Sequence, residues 1–358
     1  MLEKKVQPDW RALESCIKRQ GTPRRVHYME LFLDDEIQDA ICARFGLEDG
    51  LDRSDPFFLE KRQIALQRFL GYDFVRCGLE GAEWTWNTAV VEDTAGIRRQ
   101  GGRSFTDEHA GPITTWEELE KYPWPDFSKA GTRSLAWYQK NLPDDMCIAS
   151  GGNSHYAELL SWLMGYETLC YALHDDRGLV RALAERIDAL ALQELELYLQ
   201  FDRVRLIWGS DDMGFRTGLL IAPADMRELV LAGHKRAAAR AHQAGRIYLL
   251  HSCGNLADIR EDLIDDVRID AKHSFEDTIE RVVDAKRSYG KRLTLLGGID
   301  VDFLCRSTEK QIRARVRDTL DACMPGGGYC LGTGNTVANY VPLDSYLAML
   351  DEGRRYAG

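Results

Sequence analysis

The chain has 358 residues and a formal net charge of −11, from 46 Lys and Arg against 57 Asp and Glu. Hydrophobic residues make up 44% and charged residues 29%, a composition that excludes a disordered chain. The acidic balance excludes a protein whose main task is to grip nucleic-acid phosphates, and no apolar run approaches the ~18 residues of a membrane span.

The opening residues, MLEKKVQPDW, lack the apolar core of a secretory leader, so a cytoplasmic location is expected. In that reducing setting the nine cysteines are expected to act as thiols or metal ligands rather than in disulfides. Length alone does not decide the domain count, because single α/β barrels routinely run past about 250 residues.

In chain order, short apolar or β-branched runs ending in Gly, Asp, His or Cys alternate with longer stretches of helical spacing. The predicted strands are residues 25–32, 74–81, 146–151, 204–209, 247–254, 269–274, 293–300 and 328–334. The predicted helices include 34–45, 179–199, 223–244 with Pro223 in its first turn, 308–323 and 343–357. Residues 82–145 read as an excursion whose hairpin strands are 83–86 (EWTW) and 103–106 (RSFT). Strands alternating with helices argue for parallel pairing. The expected fold is α/β, one (β/α)8 TIM barrel over residues 1–358 with an insertion between strands 2 and 3. A doubly wound sheet is the alternative.

Catalytic side chains of such barrels collect at the strand C-termini. The fifth predicted strand ends His251-Ser252-Cys253-Gly254-Asn255, and a strand's period of two sends His251 and Cys253 to the same side. The eighth brings Cys330 in Tyr329-Cys330-Leu331-Gly332-Thr333-Gly334-Asn335. One imidazole and two thiolates suit zinc and leave a coordination position open. The alternative is that these cysteines are small buried hydrophobes. Cys323 competes for the third position, but it falls at a predicted helix end.

These residues, with Leu296-Gly297-Gly298-Ile299-Asp300, resemble the uroporphyrinogen decarboxylase superfamily. More narrowly, they resemble its zinc-dependent corrinoid (cobalamin) methyltransferase branch, which carries His-x-Cys and a distant third Cys. The resemblance covers most of the chain. It implies a (β/α)8 barrel, zinc held by His251, Cys253 and Cys330, and methyl transfer between a small methylated substrate, such as a methoxy compound, and a corrinoid. The reverse transfer, from methylcorrinoid to a thiol, and a decarboxylase are the alternatives. Parent decarboxylases carry an arginine-containing Phe-Met-Arg-Gln-Ala-Gly-Arg motif that holds substrate carboxylates. Here Val26-His27-Tyr28-Met29-Glu30 stands instead, which argues against porphyrinogen decarboxylation. The cobalamin signature Asp-x-His-x-x-Gly is missed by one residue at 107–111, so the corrinoid is expected on a separate partner protein.

Other strand-end residues are second-tier candidates. Glu30, Asp212 and His273 are expected catalytic residues, His273 by orienting a ligand. Tyr28, Trp208, Asp211, Phe215 and Asn335 are expected to contact substrate, with Trp84 and Trp86 as further aromatic candidates. Glu276, Asp277 and Asp300 either line the pocket or begin turns and helices.

Overall fold

The computed structural model describes residues 2–107, 109, 111–151 and 155–356. Glu108 and Ala110, within the near-match to a cobalamin motif, lie outside the described residues. The strands in chain order are β1 (Phe74–Arg76), β2 (Thr88–Val91), β3 (Arg103–Thr106), β4 (Cys147–Ser150), β5 (Val204–Ser210) and β6 (Gly214–Phe215). They continue as β7 (Gly218–Leu219), β8 (Ile247–His251), β9 (Ala271–His273), β10 (Thr294–Leu296) and β11 (Tyr329–Cys330). Seven form one sheet in the order β1-β4-β5-β8-β9-β10-β11, and each neighbouring pair is parallel. Strands that follow one another in the chain and also pair side by side, with helices between them, curl into the (β/α)8 barrel architecture.

The first predicted strand is a correction in detail. Residues 25–32 form no named strand; Tyr28 makes a single parallel bridge to Leu331 beside β11. The amide of Met29 donates to Leu331 O at 2.9 Å, and the amide of Leu331 donates to His27 O at 2.8 Å. Side chains supply the remaining closure. Asp73, at the foot of β1, accepts from the Asp9 amide, the Arg25 guanidinium and the His27 imidazole.

The barrel strands are buried on both faces because helices cover the outside, which is why they read as continuous apolar runs. The helices begin where polar caps satisfy their free amides. Asp176 caps Arg177–Tyr198, Asp300 caps Val301–Arg306, and Thr308 with Gln311 forms a capping box on Glu309–Cys323. The segment predicted as one helix over 223–244 is interrupted by a π-helical stretch, Met226–Leu231, before Ala232–Gln243.

One end of the barrel is plugged. The helix Trp10–Ile17 lies across the start of β10 and β11: Gly328 N donates to Cys16 O at 2.9 Å, and Thr294 Oγ1 donates to Ile17 O at 2.5 Å. The opposite end, where the strands finish, is the mouth. Between β1 and β4 the chain makes an antiparallel hairpin, β2 with β3. Its first arm is Thr88–Val91 rather than the expected 83–86, because Trp84 and Trp86 are taken up by packing on Trp124 and Trp162. Arg99 and Arg103 tie the hairpin to Asp34, at the loop leaving the bridging segment. Among the described residues, no helix is long and apolar enough to cross a membrane.

Candidate metal centre at the barrel mouth

Strand register builds the site. Ser210 on β5 pairs with His251 on β8, and His251 pairs with His273 on β9, so the two imidazoles share the interior face at the ends of their strands. Past β8 the chain turns at Gly254, whose φ is +87° and where a Cβ would lie 2.1 Å from Gly214 O. Only glycine lets this loop close onto the short β6–β7 hairpin. That approach brings Asp212 and Cys253 together: the Cys253 amide donates to Asp212 Oδ1 at 2.8 Å.

Donor atoms of Asp212, His251 and Cys253 all lie within 4.8 Å of one another. His251 Nε2 is 3.4 Å from Cys253 Sγ and 3.4 Å from Asp212 Oδ1. Tetrahedral zinc with ordinary bond lengths needs N···S and N···O separations of about 3.4–3.6 Å. The residues therefore fit a zinc ion, with one thiolate and one carboxylate offsetting its charge.

The surroundings prepare these donors. Burial raises the Asp212 carboxyl, but the neighbouring His251 ring and the Cys253 amide draw it down, below the usual carboxylate range. Burial lowers the His251 imidazole despite Asp212, so it is neutral, as a ligand must be. Burial and then Asp212 push the Cys253 thiol up, so its ionisation depends on an added cation. His251 Nδ1 faces His273 Nδ1 at 2.7 Å. Burial, and then His251, hold His273 well below the usual histidine range, so it is neutral; with the proton on His251 Nδ1, His273 Nδ1 accepts that hydrogen bond and His251 Nε2 is free for a metal. Asn335 Nδ2 donates to Cys253 Sγ at 3.2 Å, with its Oδ1 already accepting from the Thr336 amide.

The expected ligand Cys330 is corrected. It lies on the interior face but in a two-residue strand just above the plug, and it is fully buried. Cys16 of the plug helix donates its thiol to the adjacent Tyr329 O at 3.3 Å, and the nearby Cys16 thiol, then burial, pushes the Cys330 thiol well up. The reason is depth. Cys330 follows Gly328, which bonds the plug helix, whereas His251 ends its strand at the mouth. Asp212, not Cys330, stands with its donor atom within 4.8 Å of those of His251 and Cys253.

Two expected substrate contacts are also corrected. Tyr28 points outward, with its hydroxyl on Leu350 O at 3.2 Å beneath the helix Leu343–Arg355. Asp211 is buried and accepts from the amides of Ala157 and Glu158, both at 3.0 Å, and pairs with His234 Nε2 at 2.9 Å, so it caps the helix Tyr156–Met164. Trp208 lies inside the barrel, 6.0 Å from the His273 ring. Phe215 is 49% exposed on β6, with its ring edge-on to Tyr166 at the rim. The Asp277 amide donates to Asp300 Oδ2 at 2.9 Å, and the Asp277 carboxylate accepts from Arg315 at 2.7 Å. A cavity of ≈ 870 Å³ is lined in part by Glu276, Asp300, Tyr340 and Asn335, the last of which also reaches Cys253. Burial, then Asp300 and Asp212, raise the Glu276 carboxyl. Sequence reasoning missed Arg76, which ends β1; the available signal was a lone arginine closing an otherwise apolar strand.

The family model described as uroporphyrinogen decarboxylase (URO-D) matches residues 139–356, more than half of the chain. The chain belongs to the uroporphyrinogen decarboxylase family. Among solved structures, a methyltransferase from Methanosarcina mazei superposes with a TM-score of 0.67 at 16% identity, over 99% of this chain and 100% of that one. That likeness shows the shared fold. A structure described as a vitamin-B12-independent methionine synthase from Listeria monocytogenes reaches a TM-score of 0.46 at 14% identity, over 94% of this chain and 96% of that one, too low to carry weight. No curated protein sequence matches the chain.

In this family member Glu30, expected as a catalytic residue, is tied up within the fold. It is buried, and its oxygens take the Thr333 amide at 2.7 Å and Thr333 Oγ1 at 2.5 Å. Thr333 Oγ1 has one proton but also lies 2.8 Å from Asn335 O. Both contacts are satisfied when Glu30 is protonated and donates to Thr333, which then donates to Asn335. Burial supports this, raising Glu30 to about 8 against the Thr333 hydrogen bonds. An acid protonated when folded but ionised when unfolded stabilises the fold below its unfolded pKa, and that stability is lost as pH rises toward about 8. Urea unfolding between pH 5 and 9 is therefore expected to show falling stability, with Glu30→Gln flattening the slope; an unchanged slope would count against a protonated Glu30.

Proposed function

We propose that this uroporphyrinogen decarboxylase family member is a zinc-dependent methyltransferase. It moves a methyl group from a small methylated substrate, such as a methoxy compound, to the cobalt of a corrinoid carried by a separate protein. The observation that carries this reading is the Asp212, His251 and Cys253 donor set, spaced for zinc at the open end of the barrel. Three protein donors rather than four match a metal site that also receives substrate.

Zinc bound there supplies a Lewis acid that draws electron density from the substrate heteroatom bearing the methyl group. The protein's own groups do the rest. His273 fixes the tautomer and ring orientation of His251 through the Nδ1 contact. The Asn335 amide and the 2.8 Å bond from the Cys253 amide to Asp212 hold the sulfur and carboxylate in place. The cavity lined by Glu276, Asp300 and Asn335 has room for a small molecule, and Asn335 links it to Cys253. The closed Glu30–Thr333 pair leaves no cationic clamp in the segment where parent decarboxylases carry arginines, which disfavours a porphyrinogen.

The test is the purified, zinc-loaded chain with a reduced corrinoid protein and a panel of methoxy, methylamine, methylthio and thiol compounds, followed by the cobalt spectrum. A spectral change with at least one methylated compound, abolished by chelation and restored by zinc, is expected. Absence of any change across the panel would refute the reading.

A further inference from the structure

Arg76 ends β1 and pairs with Ala149, which in turn pairs with Leu206 on β5. That register puts it on the interior face shared by Trp208. Its guanidinium sits 4.7 Å from the centre of the Trp208 ring. Trp208 is 6.0 Å from the His273 ring, and His273 is 5.0 Å from the ring of the metal donor His251. The cation therefore lies two aromatic side chains away from the triad, inside the same barrel.

Other buried cations of this chain are answered. Arg25 meets Asp73, Lys272 donates to Ser274 O, and Arg354 donates to the carbonyls of Leu2, Lys4 and Phe69. Arg76 is different: among the described residues neither a carboxylate nor a carbonyl accepts from it, and its buried Nη1 has no hydrogen-bond partner. The buried Nε1 of Trp208, beneath it, also has none. Two sealed donors of this kind cost roughly 1–3 kcal/mol each when nothing accepts from them, and a charged one costs more. Burial lowers the Arg76 guanidinium to about 10 despite Tyr198, so it stays cationic at neutral pH.

We infer that Arg76 is the carboxylate-recognition residue of the barrel mouth, with Trp208 Nε1 as a second donor, and that the substrate is a small methylated monocarboxylic acid. A guanidinium stacked on an indole keeps its in-plane N–H edge for a bidentate pair, which a carboxylate matches in shape. The cavity that Arg76 lines also carries Asp35, Glu60 and Glu80, so a single negative charge is favoured over a multiply charged phosphate. The substrate role rests on the proposed methyl transfer; the carboxylate site itself does not.

Calorimetric titration of the full-length chain with 3-methoxybenzoate and with the neutral 3-methoxybenzyl alcohol tests this, before and after chelation of metal. The acid is expected to bind at least about tenfold tighter than the alcohol. Arg76→Gln is expected to remove that preference and leave the alcohol unaffected. If Arg76→Gln does not fold, Arg76→Lys decides, because it keeps the charge but not the fork and is expected to lose at least about threefold. No preference for the acid in the unaltered chain, or a preference that survives substitution in a folded variant, overturns the inference. Arg76-dependent binding in a chain that takes up no zinc would defeat only the methyltransferase reading. Zinc uptake with Arg76-independent binding would defeat only this one.

Discussion

Cys253→Ala protein is expected to hold less than about a tenth of the zinc bound by the unaltered chain, measured by elemental analysis after dialysis, and His251→Ala should behave alike. Cys330→Ala is expected to keep its zinc. The contrast follows from position. Cys253 Sγ lies 3.4 Å from His251 Nε2 at the mouth, whereas Cys330 is buried beside Tyr329, whose carbonyl accepts from Cys16 of the plug helix. Loss of zinc from Cys330→Ala in a folded protein would restore the ligand set expected from the sequence and refute the one assigned here. Full occupancy in Cys253→Ala would refute both.

Two adjacent aspartates are expected to fail in opposite ways. Asp211→Ala should cost about 3–5 kcal/mol of folding stability in urea or guanidinium titration. It strands the amides of Ala157 and Glu158 at a helix start and leaves the fully buried His234 without its acceptor. Asp212→Ala should change stability by about 1 kcal/mol or less, because its carboxylate is partly open to solvent, but should weaken zinc binding by at least about tenfold. If Asp211→Ala were neutral for stability, its role as a buried cap would be wrong. If Asp212→Ala kept full zinc affinity, its place in the triad would be.

The pair also shows how far local patterns reach. Both residues follow β5 in the Trp208-Gly209-Ser210-Asp211-Asp212 run, and nothing local tells which faces a helix and which the mouth. The period of two predicts only that they diverge. Glu30 is similar: an acid at a strand end reads as a ligand candidate until Thr333, far along the chain, is seen to hold both its oxygens. Arg76 reads as an ordinary charged strand end until its lack of a partner among the described residues becomes visible.

By itself the sequence determined the alternation of apolar strands and amphipathic helices, and with it the parallel barrel. It also placed His251 at the end of an apolar strand, with Cys253 two residues further on in the loop beyond it. Those are local consequences of backbone geometry. Only the tertiary structure decided which third donor joins them. Depth along the barrel wall places Cys330 beside the plug, and the Gly254 turn carries Cys253 onto Asp212. Depth is set by how each strand is staggered against its neighbours, a property of the closed sheet that no single stretch of sequence contains.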